Sequence, residues 1–242
     1  MKRLLEFTTC RGILNTYLGS LGKPNSPDLP WGKYITDKCI TTNIRPFQNP
    51  EHLDQILNLI KLIKSRKLAT IATKHKESNP KLYAECQRAG TIIENVKFDG
   101  YIIEVSSLKH GSHNGPKFTE AEFYKILDEI ERETAGVPTL WMTHANVIFS
   151  EKYISNFIEE NSKGYHDKVI LNRQIKSRVM VDKYVRQWAG STRQVIYPYD
   201  TFKSIPGEDV FRSPGDWGHY NKQSDNLIKE CIINNIKTYF KI

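Results

Sequence analysis

Long hydrophobic runs are missing from this sequence of 242 residues. No stretch approaches the roughly 18 uninterrupted apolar residues that a transmembrane helix needs, so we expect no membrane span. The opening residues, MKRLLEFTTC, carry positive charge as a secretion signal does, but their apolar run is short and meets Glu6 at once. We therefore expect a cytoplasmic protein.

Cysteine is scarce and widely spaced, at positions 10, 39, 86 and 231. No CxxC pair occurs and no histidine stands at zinc-finger spacing from a cysteine, so we predict no metal site. Cysteines spaced in this way in a cytosolic chain are mostly buried and act as small apolar residues. Cys10 is an exception, because it directly follows the first predicted strand.

Long basic runs and glycine-rich phosphate loops are also missing. Lys and Arg number 35 against 27 Asp and Glu, a formal net charge of +8, but they are scattered along the chain. This surplus suits anionic ligands such as the phosphates of coenzyme A or a nucleotide-linked sugar, and we do not expect a nucleic acid partner. Because no loop reads GxGxxG or GxxxxGKS/T, nothing supports a dinucleotide-binding or P-loop enzyme.

Aromatic residues and regular apolar runs are present throughout. The 12 Tyr, 10 Phe and 4 Trp exclude intrinsic disorder, and the length suits one domain covering residues 1–242. Strands are predicted at residues 4–9, 34–43, 98–107, 137–147 and 193–200. Helices are predicted at residues 11–21, 52–67, 79–90, 119–136, 150–160, 173–190 and from about 222. This alternation predicts an α/β domain with a central parallel sheet and helices on both faces.

The helix that begins after Thr119 has the best-marked ends. Thr119 is its predicted N-cap, Glu122 completes a capping box three residues later, and Gly136 is the predicted stop. Its position between the strand predictions at 98–107 and 137–147 makes it a crossover helix of the kind that parallel strands require.

Parallel sheets bind their ligands beyond the carboxyl ends of the strands. Polar residues that follow predicted strands are therefore the candidates for a site: Thr9, Cys10, Arg11, Ser106, Ser107, Lys109, Thr143, His144, Asn146 and Asp200. His110 and His113, in the loop KHGSHNGPK, could hold a metal or a phosphate, although a solvated loop is the simpler interpretation.

A possible catalytic constellation lies at the two ends of the chain. Asp216 stands three residues before His219, just ahead of the predicted C-terminal helix, and Thr9 and Cys10 stand where the first strand meets a helix. A thiol or hydroxyl at a helix N-terminus gains from the positive end of the helix and from backbone N–H groups that can hold an oxyanion. An imidazole can take the proton of that nucleophile while a carboxylate orients the ring. These residues predict acyl transfer with Cys10 or Thr9 as nucleophile, His219 as base and Asp216 as its orienting carboxylate.

The same residues resemble the SGNH (GDSL-like) hydrolase superfamily. Its last block reads D-x-x-H before a helix, as Asp216 and His219 do, and its nucleophile directly follows the first strand. Two blocks differ: the usual Gly-Asp-Ser is Thr8-Thr9-Cys10 here, and Gly-x-Asn-Asp is missing after residues 98–105. Aligned on Cys10, the first block is similar to those of the GSCFA family and of capsule-biosynthesis acetyltransferase-like proteins.

This resemblance implies a three-layer α/β/α sandwich of the SGNH or flavodoxin-like type. It implies an oxyanion hole formed by backbone N–H groups around Cys10 and Arg11, assisted by Ser106 or Ser107. Other candidate substrate-binding residues are Lys109, His144 and Asn146. No metal or cofactor is required in this interpretation.

The expected function is transfer of an acetyl or other acyl group to a sugar or polysaccharide precursor, with acetyl-CoA or another acyl-CoA as a possible donor. A carbohydrate esterase or deacylase of the same fold is an alternative, and so is an inactive protein that binds a glycan or nucleotide. A metal-dependent nuclease built on Asp99, Glu104 and Lys109 is a further alternative, but it lacks the E-x-K spacing that such sites use.

Overall fold

The structure, a computed structural model, describes residues 1–8, 29, 33–44, 47–48, 50, 52–76, 79–111, 117–144, 168–203, 205, 209–210 and 221–242. Within these ranges the strands are β1 (Lys2–Phe7), β2 (Lys33–Thr36), β3 (Cys39–Asn43), β4 (Gly100–Val105), β5 (Thr139–Thr143) and β6 (Val195–Ile196). The helices are α1 (Leu53–Lys64), α2 (Pro80–Asn95), α3 (Glu120–Glu133), α4 (Lys168–Ala189), α5 (Pro198–Phe202) and α6 (Lys222–Phe240), with a 3-10 helix at Leu68–His75. In this part of the chain no helix is both long and apolar enough to cross a membrane.

The strands form one mostly parallel sheet in the order β2-β3-β1-β4-β5-β6. Strand β1 pairs in parallel with β3 and with β4, and the parallel pairing continues through β5 to β6. Without β2, the strands run second, first, third, fourth and fifth in chain order, an order that doubly wound sheets use. Sheets of this order bind ligands where the winding reverses, and here that point lies between β1 and β4.

The two faces of the sheet bury different sets of apolar side chains because successive residues of a strand point to opposite faces. The first face, which includes Leu5 and Ile103, packs in one apolar cluster with residues of α1, α2, α3 and α4. The second face, which includes Leu4, Ile102 and Leu140, packs in another cluster with residues of α5 and α6. The chain is therefore an α/β protein, as the alternating pattern predicts.

Helix α6 runs antiparallel to the parallel strands on the second face. At its C-terminal end the Tyr239 hydroxyl donates to the carbonyl oxygen of Thr139 at 3.0 Å, and Phe240 packs against Gly100. Both contacts are at the beginnings of strands. A helix of 19 residues is about 28 Å long, so α6 begins toward the carboxyl edge of the sheet.

Most predicted helices and strands are present among the described residues, but several ends differ. Strand β1 is Lys2–Phe7 rather than 4–9, α2 continues to Asn95 rather than 90, and α4 begins at Lys168 rather than 173. The Thr119 side chain accepts a hydrogen bond from the Glu122 N–H, and the Glu122 carboxylate accepts from the Thr119 N–H, which completes the predicted capping box. Gly136 lies just beyond this helix with φ of +86°, a conformation that favours glycine. The predicted helices at 11–21 and 150–160 lie outside the described residues.

Two strand predictions are corrected. Residues 34–43 contain the end of β2 and all of β3, which form an antiparallel hairpin around Asp37 and Lys38, so the sheet is not wholly parallel. Only Val195–Ile196 of the run 193–200 is strand, because Pro198 begins helix α5. Proline lacks the N–H that a strand ladder needs, and its fixed φ suits the first turn of a helix.

Candidate active site

The predicted catalytic residues Thr9, Cys10, Asp216 and His219 lie outside the described residues, as do Arg11 and Asn146. Their nearest described neighbours in sequence are nevertheless informative. Thr8 directly follows β1 and is buried, and Asn221 caps α6. The Asn221 N–H donates to the Val210 carbonyl at 2.9 Å, which joins the two ends of the segment that carries Asp216 and His219.

Buried polar side chains lie at the carboxyl ends of the parallel strands β1 and β3. The Asn43 side-chain amide donates to the Thr8 hydroxyl at 2.6 Å and to a Glu6 carboxylate oxygen at 3.3 Å. All three residues are buried. These contacts join the end of β3 to the end of β1 beside the point where the winding of the sheet reverses.

A carboxylate–imidazole pair continues this arrangement on β4 and β5. His144 Nδ1 lies 2.5 Å from Glu104 Oε1, and only 8% and 2% of the two side chains are exposed. The backbone N–H of His144 donates to the Val105 carbonyl at 3.1 Å, which holds the histidine beside the end of β4.

The strand register places these residues on one face at the carboxyl edge of the sheet, on successive levels from Glu6 to His144. Glu6 is opposite Asn43, and the pairing of Phe7 with Ile103 makes Thr8 level with Glu104. Glu6 and Glu104 stand two residues beyond Leu4 and Ile102 on their strands, so they face the second face of the sheet, against which α6 packs. We name the set Asn43, Glu6, Thr8, Glu104 and His144 the polar row.

Burial of the polar row is costly for a protein of this fold. The side chains just before it on the same face are apolar, among them Leu4, Ile102 and Met142. A buried carboxylate or imidazole stabilises the fold only when its hydrogen bonds are well made, and an apolar pair of similar volume is often as stable. Apolar side chains of similar volume would therefore fill these positions about as well.

Ser106 and Ser107 follow β4 beside the polar row and are half-buried. The Ser107 hydroxyl accepts a hydrogen bond from the Lys109 N–H at 3.1 Å. Lys109 itself forms an antiparallel bridge with Lys117, and Gly111 contacts the side chains of Asp54 and Gln55 at the start of α1. The serines therefore adjoin the row, whereas Lys109 is in a segment that leads toward α1.

His110 takes no part in a described metal cluster. Its ring packs on Phe118 with centroids 3.5 Å apart. Among the described residues no group of three or more His, Cys, Asp or Glu side chains is placed to hold a metal ion. His113, which the sequence suggests together with His110 as a metal or phosphate site, lies outside the described residues.

Thr143 and Asp200, two other residues expected after strands, belong to a separate network. The Thr143 hydroxyl donates to Asp182 at 3.2 Å, and Arg186 of α4 binds both Asp182 and Asp200. The Arg186 guanidinium also lies over the Tyr197 ring, 3.7 Å from its centroid. This network joins α4 to β5 and α5 and does not include the polar row.

The two acidic residues of the nuclease alternative, Asp99 and Glu104, do not lie together in the structure. Asp99 accepts a hydrogen bond from the Arg3 N–H at 2.8 Å, before β4 begins, whereas Glu104 is near the other end of that strand. Five residues of extended strand separate the two by about 17 Å.

The sequence analysis named His144 as a substrate-binding candidate and Glu104 only for the nuclease alternative, and it did not predict that the two side chains meet. A charged residue within the apolar run FDGYIIEVSS was an available signal, since buried strands are otherwise apolar. The same signal exists at Glu6 in β1. Comparison of the chain with family models, with curated proteins and with solved structures finds no match.

Proposed function

We propose that this chain is an acyl-transfer enzyme of the SGNH type, which moves an acetyl or other acyl group from a CoA thioester to a sugar or polysaccharide precursor. The observation that carries the proposal is the polar row at the carboxyl edge, between and beside β1 and β4. This is the edge at which doubly wound sheets bind their ligands. The predicted nucleophile follows Thr8 of that row by one or two residues.

The position of α6 supports the same proposal. Asp216 and His219 precede this helix by a few residues, and the helix begins toward the edge that bears the polar row. Both ends of the proposed catalytic set are therefore attached to elements that lead to one edge of the sheet. In full, we propose a three-layer α/β/α sandwich in which the helices of the two apolar clusters form the outer layers.

The proposed chemistry needs a nucleophile, an oxyanion hole, a base and a group that orients the base. Cys10, or Thr9 in its place, attacks the thioester carbonyl, and backbone N–H groups near Cys10 and Arg11 hold the oxyanion. His219 takes the nucleophile's proton, and Asp216 orients the imidazole. Ser106 and Ser107 assist at the end of β4, and His144 and Asn146 contact the acceptor. A cytoplasmic location would give access to acyl-CoA donors.

The first experiment is thermal unfolding with and without acetyl-CoA, run beside hydrolysis of p-nitrophenyl acetate. A ligand at 100 times its Kd adds about 2.7 kcal/mol to the free energy of unfolding, which is visible as a rise in Tm. A rise with slow ester hydrolysis supports the transferase. Hydrolysis without that rise supports the esterase or deacylase, provided that His219→Ala abolishes it.

Matched variants make the result specific to the proposed site. Cys10→Ala and Thr9→Ala identify the nucleophile, and His110→Asn is the control, because the His110 ring packs on Phe118. No rise in Tm and no ester hydrolysis would count against an acyl-transfer enzyme and favour a protein that only binds glycans or nucleotides.

A further inference from the structure

Positive charge is concentrated in one part of the chain. Residues 61–97 hold nine of the 35 Lys and Arg but only three of the 27 Asp and Glu. They form the end of α1, the 3-10 helix and α2, which pack on the first face of the sheet. Helix α3 packs on the same face and has the opposite composition, six acidic residues against two basic ones. The helices of this face therefore differ sharply in charge.

The turn that follows α1 is fixed against the C-terminal half of α2. The Glu94 carboxylate of α2 accepts hydrogen bonds from the N–H groups of Leu68 and Ala69. Gln87, also of α2, donates to the Ala69 carbonyl at 2.7 Å. The two basic residues just before Leu68 are thus held beside α2.

Five exposed basic side chains lie at this junction and along α2. We name them the basic patch: Arg66, Lys67, Lys81, Arg88 and Lys97. Lys81 and Arg88 are seven residues apart in α2, so they share one side of the helix at a spacing of about 10 Å. Within the described part of the chain none of the five forms an ion pair, whereas two lysines of α1 pair with α3. Glu85, which is also exposed on α2, offsets only one of the five charges.

Helix electrostatics accounts for only part of the basic patch. Cations are favoured near the C-terminus of a helix, where Lys97 and the residues after α1 stand. Lys81, however, is in the first turn of α2, a turn without any acidic residue. A positive charge there is unfavourable toward the helix dipole, so this lysine does not stabilise α2 in that way.

Arg66 occupies a backbone position that favours glycine. It follows Ser65, the C-cap of α1, and its φ is +56°. The Arg66 N–H donates to the Ile63 carbonyl at 3.1 Å, and the Lys67 N–H donates to the Leu62 carbonyl at 2.8 Å. These two bonds form a Schellman ending, in which glycine is usual because other residues are strained at this φ. The chain thus has an exposed arginine where glycine would be more stable.

We propose that the basic patch binds the phosphate backbone of a double-stranded nucleic acid, independently of the proposed function. From the sequence, where the basic residues are scattered, we expect no nucleic acid partner, but the fold brings these five into one region. Arg and Lys side chains bind backbone phosphates and release the counterions held there. Helix α2 is about 24 Å long, which matches about seven base pairs of a duplex.

Other anionic partners fit this surface less well. Single-stranded nucleic acids stack their bases on aromatic side chains, and the exposed side chains described on α2 include no aromatic residue. Helices that bind membrane surfaces insert large apolar side chains. Among the described residues, the large apolar side chains that are exposed are Met1, Val179 and Met180, which lie outside α1 and α2. A duplex needs neither kind of contact, because phosphates line its outer surface.

The test measures binding of a fluorescein-labelled DNA duplex of mixed sequence by fluorescence anisotropy, between about 50 and 200 mM salt. We expect wild type to bind with a Kd of about 1–100 µM at physiological salt. The variant with Arg66→Glu, Lys67→Glu and Arg88→Glu should bind at least about 10-fold more weakly. Its slope of log Kd against log salt should be smaller by about three, one for each lost phosphate contact.

A matched variant changes the net charge equally on other elements. It has Lys183→Glu, Lys203→Glu and Lys237→Glu, all at exposed positions on or next to α4, α5 and α6. Its Kd should stay within about threefold of wild type. Equal weakening by the two triple variants would show that net charge alone attracts the duplex and would overturn the basic patch. Absence of wild-type binding would overturn it as well.

Arg66→Gly separates binding from folding. Glycine suits the φ of this position, so Tm should be equal to that of wild type or higher, while duplex binding weakens about fivefold through one lost phosphate contact. Should the triple variant not fold, this variant decides, and unchanged binding would refute the inference. Duplex RNA and vesicles containing phosphatidylserine are measured beside the DNA. Binding to the vesicles but to neither duplex would also refute it.

Discussion

The imidazole of His144 and the carboxylate of Glu104 meet across two neighbouring parallel strands, with Nδ1 2.5 Å from Oε1. Both groups are almost fully buried at the carboxyl edge of the sheet. The apolar residues Ile102 and Met142 occupy the same face two positions earlier on each strand. The contact therefore adjoins apolar side chains of the same face, and its energetics can be measured apart from any activity.

Removing one member of this pair should destabilise the protein more than removing both. Glu104→Met or His144→Leu alone leaves the other buried group without its partner, and each should cost about 3 kcal/mol. The double variant, which has an apolar pair in place of the two groups, should lose less free energy of unfolding than either single variant. Urea unfolding followed by tryptophan fluorescence measures the three free energies.

The matched control is the exposed pair Lys61–Glu129, whose Nζ and Oε1 are 2.6 Å apart. The same double-variant cycle there should give a coupling of about 0.5 kcal/mol, because solvent screens the charges. Additive losses at Glu104 and His144 would show that the buried contact contributes no specific coupling.

Gly100→Ala should destabilise the contact between β4 and α6. A Cβ at this position would lie 2.1 Å from Cε1 of Phe240, which is far below contact distance. We expect a loss of about 1–3 kcal/mol from this overpacking. Adding Phe240→Leu to Gly100→Ala should recover part of that loss, because the smaller side chain makes room for the methyl group. Thermal and urea unfolding measure both effects.

Gly136→Ala is the control for this substitution. No atom lies within 4 Å of a Cβ there, but φ is +86°, so the variant should lose about 1 kcal/mol through backbone strain alone. Phe240→Leu should not rescue it. A rescue of Gly136→Ala by Phe240→Leu would contradict the steric explanation for Gly100.

Local features of the fold could be predicted from the sequence because their causes lie within a few residues. The capping box of Thr119 and Glu122 depends on residues three apart, and the structure confirms it. The hairpin at β2 and β3 was missed because residues 34–43 contain no glycine or proline to mark the turn at Asp37 and Lys38. Such a turn is decided by pairing with the rest of the sheet.

The candidate site shows the same division between local and distant causes. His144 could be proposed because it directly follows a predicted strand. Its contact with Glu104 depends on β4 and β5 being neighbours in a register that pairs Glu104 with Met142. Strand order and register come from contacts between residues far apart in sequence, and a single sequence contains no direct signal for them.

Arg193 should contribute more to stability than an ordinary surface arginine. Its Nε and Nη2 donate to the two carboxylate oxygens of Glu131, both at 2.7 Å, and its guanidinium lies 4.2 Å from the centre of the Trp188 ring. Lysine cannot reproduce this planar, paired geometry. Arg193→Lys should therefore cost about 1 kcal/mol in urea unfolding, against less than about 0.5 kcal/mol for Lys61→Met. Equal losses for the two variants would contradict a specific role for Arg193.

The Cys39 thiol is buried at the start of β3. Burial first, and then the negative charges of Glu6 and Asp99, raise its pKa from 9.0 to about 12. The protonated thiol is thus favoured in the folded protein more than in the unfolded chain, where its pKa is ordinary. The native thiol should stay protonated and unreactive at pH 8, when an exposed cysteine already forms some thiolate.

The free energy of unfolding should consequently fall as the pH rises through the range in which Cys39 is ionised in the unfolded chain but not in the folded protein. Because folding raises the pKa of Cys39, the contribution of this thiol to the free energy of unfolding is fully present below pH 9 and is lost between pH 9 and about 12. Cys39→Ala should lower the free energy of unfolding at pH 7 through lost packing, but the difference from wild type should shrink between pH 9 and 10.5. Urea unfolding of both proteins across this range measures the difference, in which the titration of other groups cancels. A difference that stays constant with pH would show that Cys39 ionises equally in the folded and unfolded states.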